Sequence, residues 1–155
     1  MEEEEVQEEE EKDHKNFFKT SYGMLRIAEL VFSIGGLLAI EESVTCGKFF
    51  RTQFFMSACI SAIVFTVIFL TCFFFKIIDY LSEFLNLGIV LFVIDLIFTI
   101  MFAISSFYII FTIKDCKEFR FARISASFFG VFNLACFFST TSTDFRWFYL
   151  ADEPY

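Results

Sequence analysis

Histidine is nearly absent from this 155-residue sequence: the only one, His14, lies in a polar N-terminal stretch. Haem ligation by paired histidines inside an apolar bundle is thereby excluded, and so is a Ser–His–Asp arrangement. The five cysteines, Cys46, Cys59, Cys72, Cys116 and Cys136, form no Cys-x-x-Cys, which removes the usual zinc and dithiol patterns. Gly-rich phosphate loops are missing; Gly35 and Gly36 sit within an apolar run. There is no excess of positive charge to neutralise phosphates, so a nucleic-acid partner is not expected. No catalytic residue, cofactor or metal is expected either, and the chain reads as a non-enzyme. Asn-x-Ser/Thr, an N-terminal Gly after Met1 and a C-terminal prenylation box are all lacking, so attachment to the membrane is expected to be by spanning.

What is present is apolar. Hydrophobic residues make up 57% of the chain, with 27 Phe and a single Pro. The formal charge of −8 is confined to residues 1–13, where nine acids face Lys12; the remainder balances eleven acids with eleven bases. The opening residues are acidic where a signal peptide would be basic, so the first apolar segment is expected to remain and insert. Apolar runs at about 24–40, 54–75, 87–111 and 124–142 have roughly the length needed to cross a 30 Å hydrocarbon core. Backbone polar groups in a bilayer must be satisfied internally, so these runs are expected to be helices. The fourth is rich in small and polar residues (Ser125, Ala126, Ser127, Gly130, Asn133), the composition of a helix packed on protein rather than lipid.

The expected fold is therefore all-α: an antiparallel, up-down, four-helix transmembrane bundle with a disordered acidic tail. The tail covers residues 1–20, the helical domain 21–149 and a short C-terminal tail 150–155. Both termini fall on one side. Basic residues do not orient the bundle, because Lys12, Lys15, Lys19, Arg26, Lys76 and Arg146 on one side match Lys48, Arg51, Lys114, Lys117, Arg120 and Arg123 on the other. Trp147, with Phe145, Phe148 and Tyr149, reads as an interfacial aromatic belt. Cys46 and Cys116 fall in loops on the same face and are a candidate disulfide. Cys72, near the end of the second run, is a candidate palmitoylation site, or a small buried hydrophobe. Tyr22-Gly23-Met24-Leu25 matches a Tyr-x-x-apolar sorting signal but abuts the bilayer, leaving no room for an adaptor.

Polar residues inside the spans carry the most information. An ionisable side chain there costs about 2.5–3.5 kcal/mol on insertion scales unless it is paired or faces the bundle interior. Arg26 and Glu29 are spaced to pair on one helical face. Glu29 and Asp95 lie at depths of roughly 8 and 12 Å below the same membrane face. A buried cluster of Arg26, Glu29, Asp95 and Asn133 is expected, with Thr99 one turn below Asp95. Its roles could be to fix helix rotation, to recognise a partner's transmembrane helix, or to conduct protons. Ser57, Ala58, Ser61 and Ala62 in the second helix, and Ala126 and Gly130 in the fourth, form small-residue faces that let backbones approach closely.

The run Arg26–Cys46 (RIAELVFSIGGLLAIEESVTC) resembles the first helix and loop of MARVEL-domain proteins, most closely their chemokine-like-factor branch. A Lys/Arg-x-x-Glu entry there leads through an apolar helix to paired acids and a Cys. The aromatic stretch Lys48–Phe75, the lone Asp95 in the third helix and Phe129-Gly130 in the fourth follow the same order. The resemblance covers residues 17–149; the acidic head and the Phe excess lie outside the family pattern. It implies cytoplasmic N- and C-termini, with Arg26, Glu29 and Asp95 as the family's intramembrane polar positions and Glu41-Glu42 as its paired acids. It also implies a non-enzymatic role in vesicle traffic, membrane apposition or the escort of other membrane proteins, at the plasma membrane or endomembrane vesicles. The expected partners are the lipid bilayer, other transmembrane proteins or further copies of the chain, and a basic cytoplasmic partner for the acidic tail. Two rival expectations are a small proton or ion channel using Glu29 and Asp95, and a purely structural component of apposed membranes.

Overall fold

A computed structural model describes residues 20–43, 49–75, 77–78, 86–114 and 117–150, excluding the side chains of Phe49, Trp147, Phe148 and Leu150. The acidic tail, the Cys46/Cys116 pair, Lys48, Lys76 and the Trp147 and Phe148 side chains of the aromatic belt lie outside it.

Four helices make up the bundle: α1 (Ser21–Glu41), α2 (Phe49–Phe74), α3 (Leu87–Thr112) and α4 (Arg120–Leu150). They run uninterrupted because the single proline falls at position 154. Thr20 caps α1, its hydroxyl accepting from the Gly23 N–H at 3.3 Å and satisfying one of the orphan donors of the first turn. Each helix is long and apolar enough to cross a membrane, and the chain is a multi-pass membrane protein. The 31 residues of α4 extend to about 46 Å, well beyond the hydrocarbon core.

Neighbours pack in the order α1–α2–α3–α4 and back to α1, with α4 most extensively engaged, against α3 and α1. The direction alternates. Residues early in α1 meet residues early in α3 and late in α4 (Arg26 with Asp95 and Asp144). At the other end, Arg123 early in α4 reaches Thr112 at the end of α3, Thr52 early in α2 and Ser43 just past α1.

The buried positions follow a 3–4 spacing. On α1 they are Tyr22, Arg26, Glu29, Ser33, Gly36 and Ile40. On α4 they include Arg123, Ala126, Gly130, Asn133, Phe137, Thr140 and Asp144. A period of 3.5 residues keeps one seam facing the partner helices, as in a left-handed bundle. The polarity is inverted relative to a water-soluble bundle: Ser, Thr, Asn and the charged groups line the seam, while Ile, Val and Phe cover the outside. Lipid is as apolar as leucine, so nothing drives large aliphatic groups inward, and hydrogen-bonding groups gain by leaving the lipid.

Mid-bundle is apolar and aromatic. Phe137 stacks on Phe98 (5.1 Å) and Phe102 (5.5 Å), and Phe65 lies 5.5 Å from Phe98. Ile40, Phe55, Ala58, Cys59, Ala62, Ile109 and Ala126 complete this core. Gly130 is required for the α3–α4 approach, since an added Cβ would lie 2.9 Å from Phe55 and collide with the Ser106 hydroxyl.

Candidate functional site: two buried arginine hubs

Arg26 is fully buried one and a half turns into α1, at the centre of the hub nearer the chain termini. It forms a two-pronged ion pair with Asp95: Nη1 donates to Oδ1 at 2.8 Å and Nη2 to Oδ2. Nη1 also donates to Glu29 Oε2 at 3.1 Å, and Nη2 to the Tyr22 hydroxyl at 2.7 Å. The Tyr22 hydroxyl donates in turn to Asp144 Oδ1 at 2.9 Å, and the other Asp144 oxygen lies 3.7 Å from Nη2. Thr140 donates to Glu29 Oε1 at 2.8 Å. From α2, the rings of Phe69 and Phe65 lie 4.8 and 5.7 Å from the guanidinium carbon, and the Tyr22 ring lies at 5.0 Å. These are cation–π distances. All four helices therefore meet at one guanidinium, whose planar fork suits bidentate carboxylate pairing.

The expected grouping of Arg26, Glu29 and Asp95 is present, but Asn133 does not join it. Asn133 contacts α1 one turn deeper, with its amide 2.7 Å from the Ser33 hydroxyl. Oriented to satisfy both ends, Oδ1 accepts from the Ser33 N–H and Nδ2 donates to the Glu29 carbonyl oxygen, each at 3.1 Å. The reason is register: Asn133 lies two turns before Thr140, the α4 residue level with Glu29. Thr99 turns to its own helix, donating to the Asp95 carbonyl oxygen at 2.8 Å, and meets Thr141 at 3.1 Å.

Asp144, Tyr22 and Thr140 are members the sequence reading missed. It ended the fourth span at 142, whereas the helix continues to Leu150. The signal was available as the spacing Asn133, Phe137, Thr140, Asp144, which extends the inward seam past the hydropathy boundary. Tyr22, matched to a sorting pattern, is instead 2% exposed and committed to the core.

A second hub closes the opposite end. Arg123, assigned to a loop by the sequence reading, is fully buried. It donates to the Thr112 hydroxyl, to the Thr52 hydroxyl (3.1 Å) and to the Ser43 carbonyl oxygen (3.2 Å). Each side of the positive-inside comparison thus loses one arginine to the interior, and the tie remains. Ser43, just past α1, follows Arg26 by seventeen residues, or about 26 Å at the helical rise, and the aromatic core lies between the hubs.

The small-residue faces divide. Ala58, Ala62, Ala126 and Gly130 are buried at helix contacts. Ser57 is exposed and Ser61 half-exposed. Their hydroxyls return to α2 carbonyl oxygens, at Phe54 (2.9 Å) and Ser57 (2.6 Å) respectively. Successive helical positions are about 100° apart, so the pair preceding Ala58 and Ala62 turns away from the seam. Cys59 and Cys136 are buried and Cys72 is half-buried, beside the Tyr22/Phe69 cluster; all three are free thiols. Glu41 and Glu42, where α1 ends, are exposed, and so are Phe145 and Tyr149, whose tilted rings have centroids 4.4 Å apart.

Comparison with protein-family models, with curated proteins and with solved structures finds no match to this chain.

Proposed function

We propose that this multi-pass protein is a non-enzymatic membrane organiser of MARVEL type, working by lateral association with other transmembrane proteins or with further copies of itself. The observation that carries this reading is the inverted polarity of the bundle. The ionisable groups of the Arg26 hub are sealed at 0% exposure and bonded to one another, while the large aliphatic and aromatic side chains of the spans point outward. Such a protein holds its four helices in one fixed rotation and offers its neighbours a rigid apolar exterior. The polar cluster thus serves association indirectly, by fixing which side chains point outward. The stacked Phe98, Phe102 and Phe137 between the two hubs favour this over conduction, because a proton path would have to cross them. Cytoplasmic termini, traffic through the plasma membrane or endomembrane vesicles, and a basic partner for the acidic tail belong to the same proposal.

The test is quantitative co-isolation of the tagged full chain in mild detergent, beside an unrelated four-span protein and an outward-facing Ser57→Phe, Ser61→Phe variant. A small set of membrane proteins, or the chain itself, enriched over the control and altered by the variant is the expected result. A background identical to the control, together with proton flux in vesicles that Asp95→Asn removes, would replace this reading with the transport one.

A further inference from the structure

The hydrogens around Arg26 can be counted. A guanidinium has four Nη–H groups and one Nε–H. The four Nη–H groups are all engaged: two on Asp95, one on Glu29 and one on the Tyr22 hydroxyl oxygen. The Tyr22 hydrogen goes to Asp144 Oδ1, and the Thr140 hydrogen to Glu29 Oε1. Every carboxylate oxygen of the hub then has a donor except one, Asp144 Oδ2, which is buried and receives no hydrogen bond. Asp144 Oδ2 nonetheless lies 3.7 Å from the same Nη2 that donates to Asp95 Oδ2, so the two carboxylates crowd one guanidinium nitrogen. Two like-charged carboxylates so placed, away from solvent, favour the state in which one of them carries a hydrogen. Formal charge agrees, for one guanidinium faces three acids where solvent does not reach, and uncompensated charge in such a site is costly.

We infer that the Arg26 hub is a proton-binding site, in which Asp144 carries a hydrogen on Oδ2 and exchanges it with water at the terminal end of the bundle. Asp95 is fully paired by the guanidinium and Glu29 has two donors, which leaves Asp144 as the least compensated acid. A metal ion is not the occupant: the guanidinium fills the centre, and among the described residues no three His, Cys, Asp or Glu side chains form a ligand set. The groups facing Asp144 are Tyr22 and Arg26 from α1 and, across the same Nη2, Asp95 from α3, with Glu29 on the other guanidinium nitrogen. Its own helix adds the Thr140 and Thr141 hydroxyls. From α2 come the Phe65 and Phe69 rings, with the Cys72 thiol beside the Tyr22 cluster. Asp144 lies six residues before the end of α4, so release leads toward the membrane surface. Loss of the hydrogen adds a second uncompensated negative charge to the hub, and α4 is driven away from α1 and α3 at that end. The bound proton therefore stabilises the closed bundle, and that stability is lost as pH rises.

Infrared spectroscopy of the full chain in lipid vesicles tests this. At neutral pH the wild type should show a carboxylic-acid carbonyl band that disappears on alkalinisation, is lost in Asp144→Asn and persists in Glu29→Gln. Labelling the wild type with aspartate carrying carbon-13 in its side-chain carboxyl should shift the band, which identifies an aspartic acid even if Asp144→Asn does not fold. Absence of the band from the folded wild type would overturn the inference. So would a band unmoved by aspartate labelling, or one that survives in folded Asp144→Asn.

Discussion

Replacing Arg26 with Met removes the cation on which all four helices converge and leaves Glu29, Asp95 and Asp144 sealed together. Methionine keeps most of the side-chain volume, so the change is chiefly electrostatic. Removing one partner of a buried ion pair typically costs about 3–5 kcal/mol. Four guanidinium hydrogen bonds are lost, of which the two to Asp95 run between helices; bonds of that kind average about 0.6 kcal/mol each, which alone gives about 1 kcal/mol. Proton uptake by the stranded acids limits the remainder, so a loss of about 3 kcal/mol is expected for Arg26→Met. Asp95→Leu leaves the arginine with two acids and should cost about half as much. The two residues share one bidentate pair, so the double variant should fall short of additivity by about 1–2 kcal/mol. Reversible unfolding in mixed micelles, titrated with a denaturing detergent and followed by circular dichroism, measures all three. Additive losses, or an Arg26→Met variant within about 0.5 kcal/mol of wild type, would refute the view that the hub holds the bundle together.

The Arg123 hub should behave as an independent unit. Thr52→Val is expected to cost about 0.6–1.7 kcal/mol in the same assay, and to add to Arg26→Met because the hubs lie far apart. Gly130→Ala should lose about 1–3 kcal/mol by overpacking, with Gly36→Ala milder, since its added Cβ meets its neighbours at 3.4–3.5 Å. Melting of the two variants side by side checks the order. Ser57→Leu should leave stability within about 0.5 kcal/mol, whereas Ala58→Leu, on the buried face, should not. A membrane-permeant maleimide should modify Cys72 before Cys59 and Cys136 in the folded protein, and mass spectrometry of the digested chain reads that order.

The four helices were legible because a bilayer leaves the backbone one economical form and because run length reports span directly. The Arg26–Glu29–Asp95 grouping was legible for a related reason: charges within apolar runs of known direction have few places to go. Asp144 and Arg123 were missed because hydropathy marks where a helix leaves the lipid, not where it ends. Both lie in polar ends that the helix continues through. Asn133 was placed in the wrong layer because depth estimated from span boundaries carries an error of about a turn, enough to exchange the Glu29 carboxylate for the Ser33 hydroxyl and the Glu29 backbone as its partners. The seam spacing on α4, followed from Ala126 in both directions, reaches Arg123 and Asp144 without recourse to hydropathy.

The hub also sets an order of events during synthesis. Arg26 and Glu29 emerge with the first helix, but Asp95 follows 69 residues after Arg26, and Thr140 follows 111 residues after Glu29. At about 5–20 residues per second, Glu29 awaits its threonine for roughly 6–22 s. At first the helix has only the Arg26–Glu29 pair within itself, and its partners on the third and fourth helices are still to come. It gains a settled place in the lipid only when the fourth helix arrives, so the last segment made determines whether the first one stays.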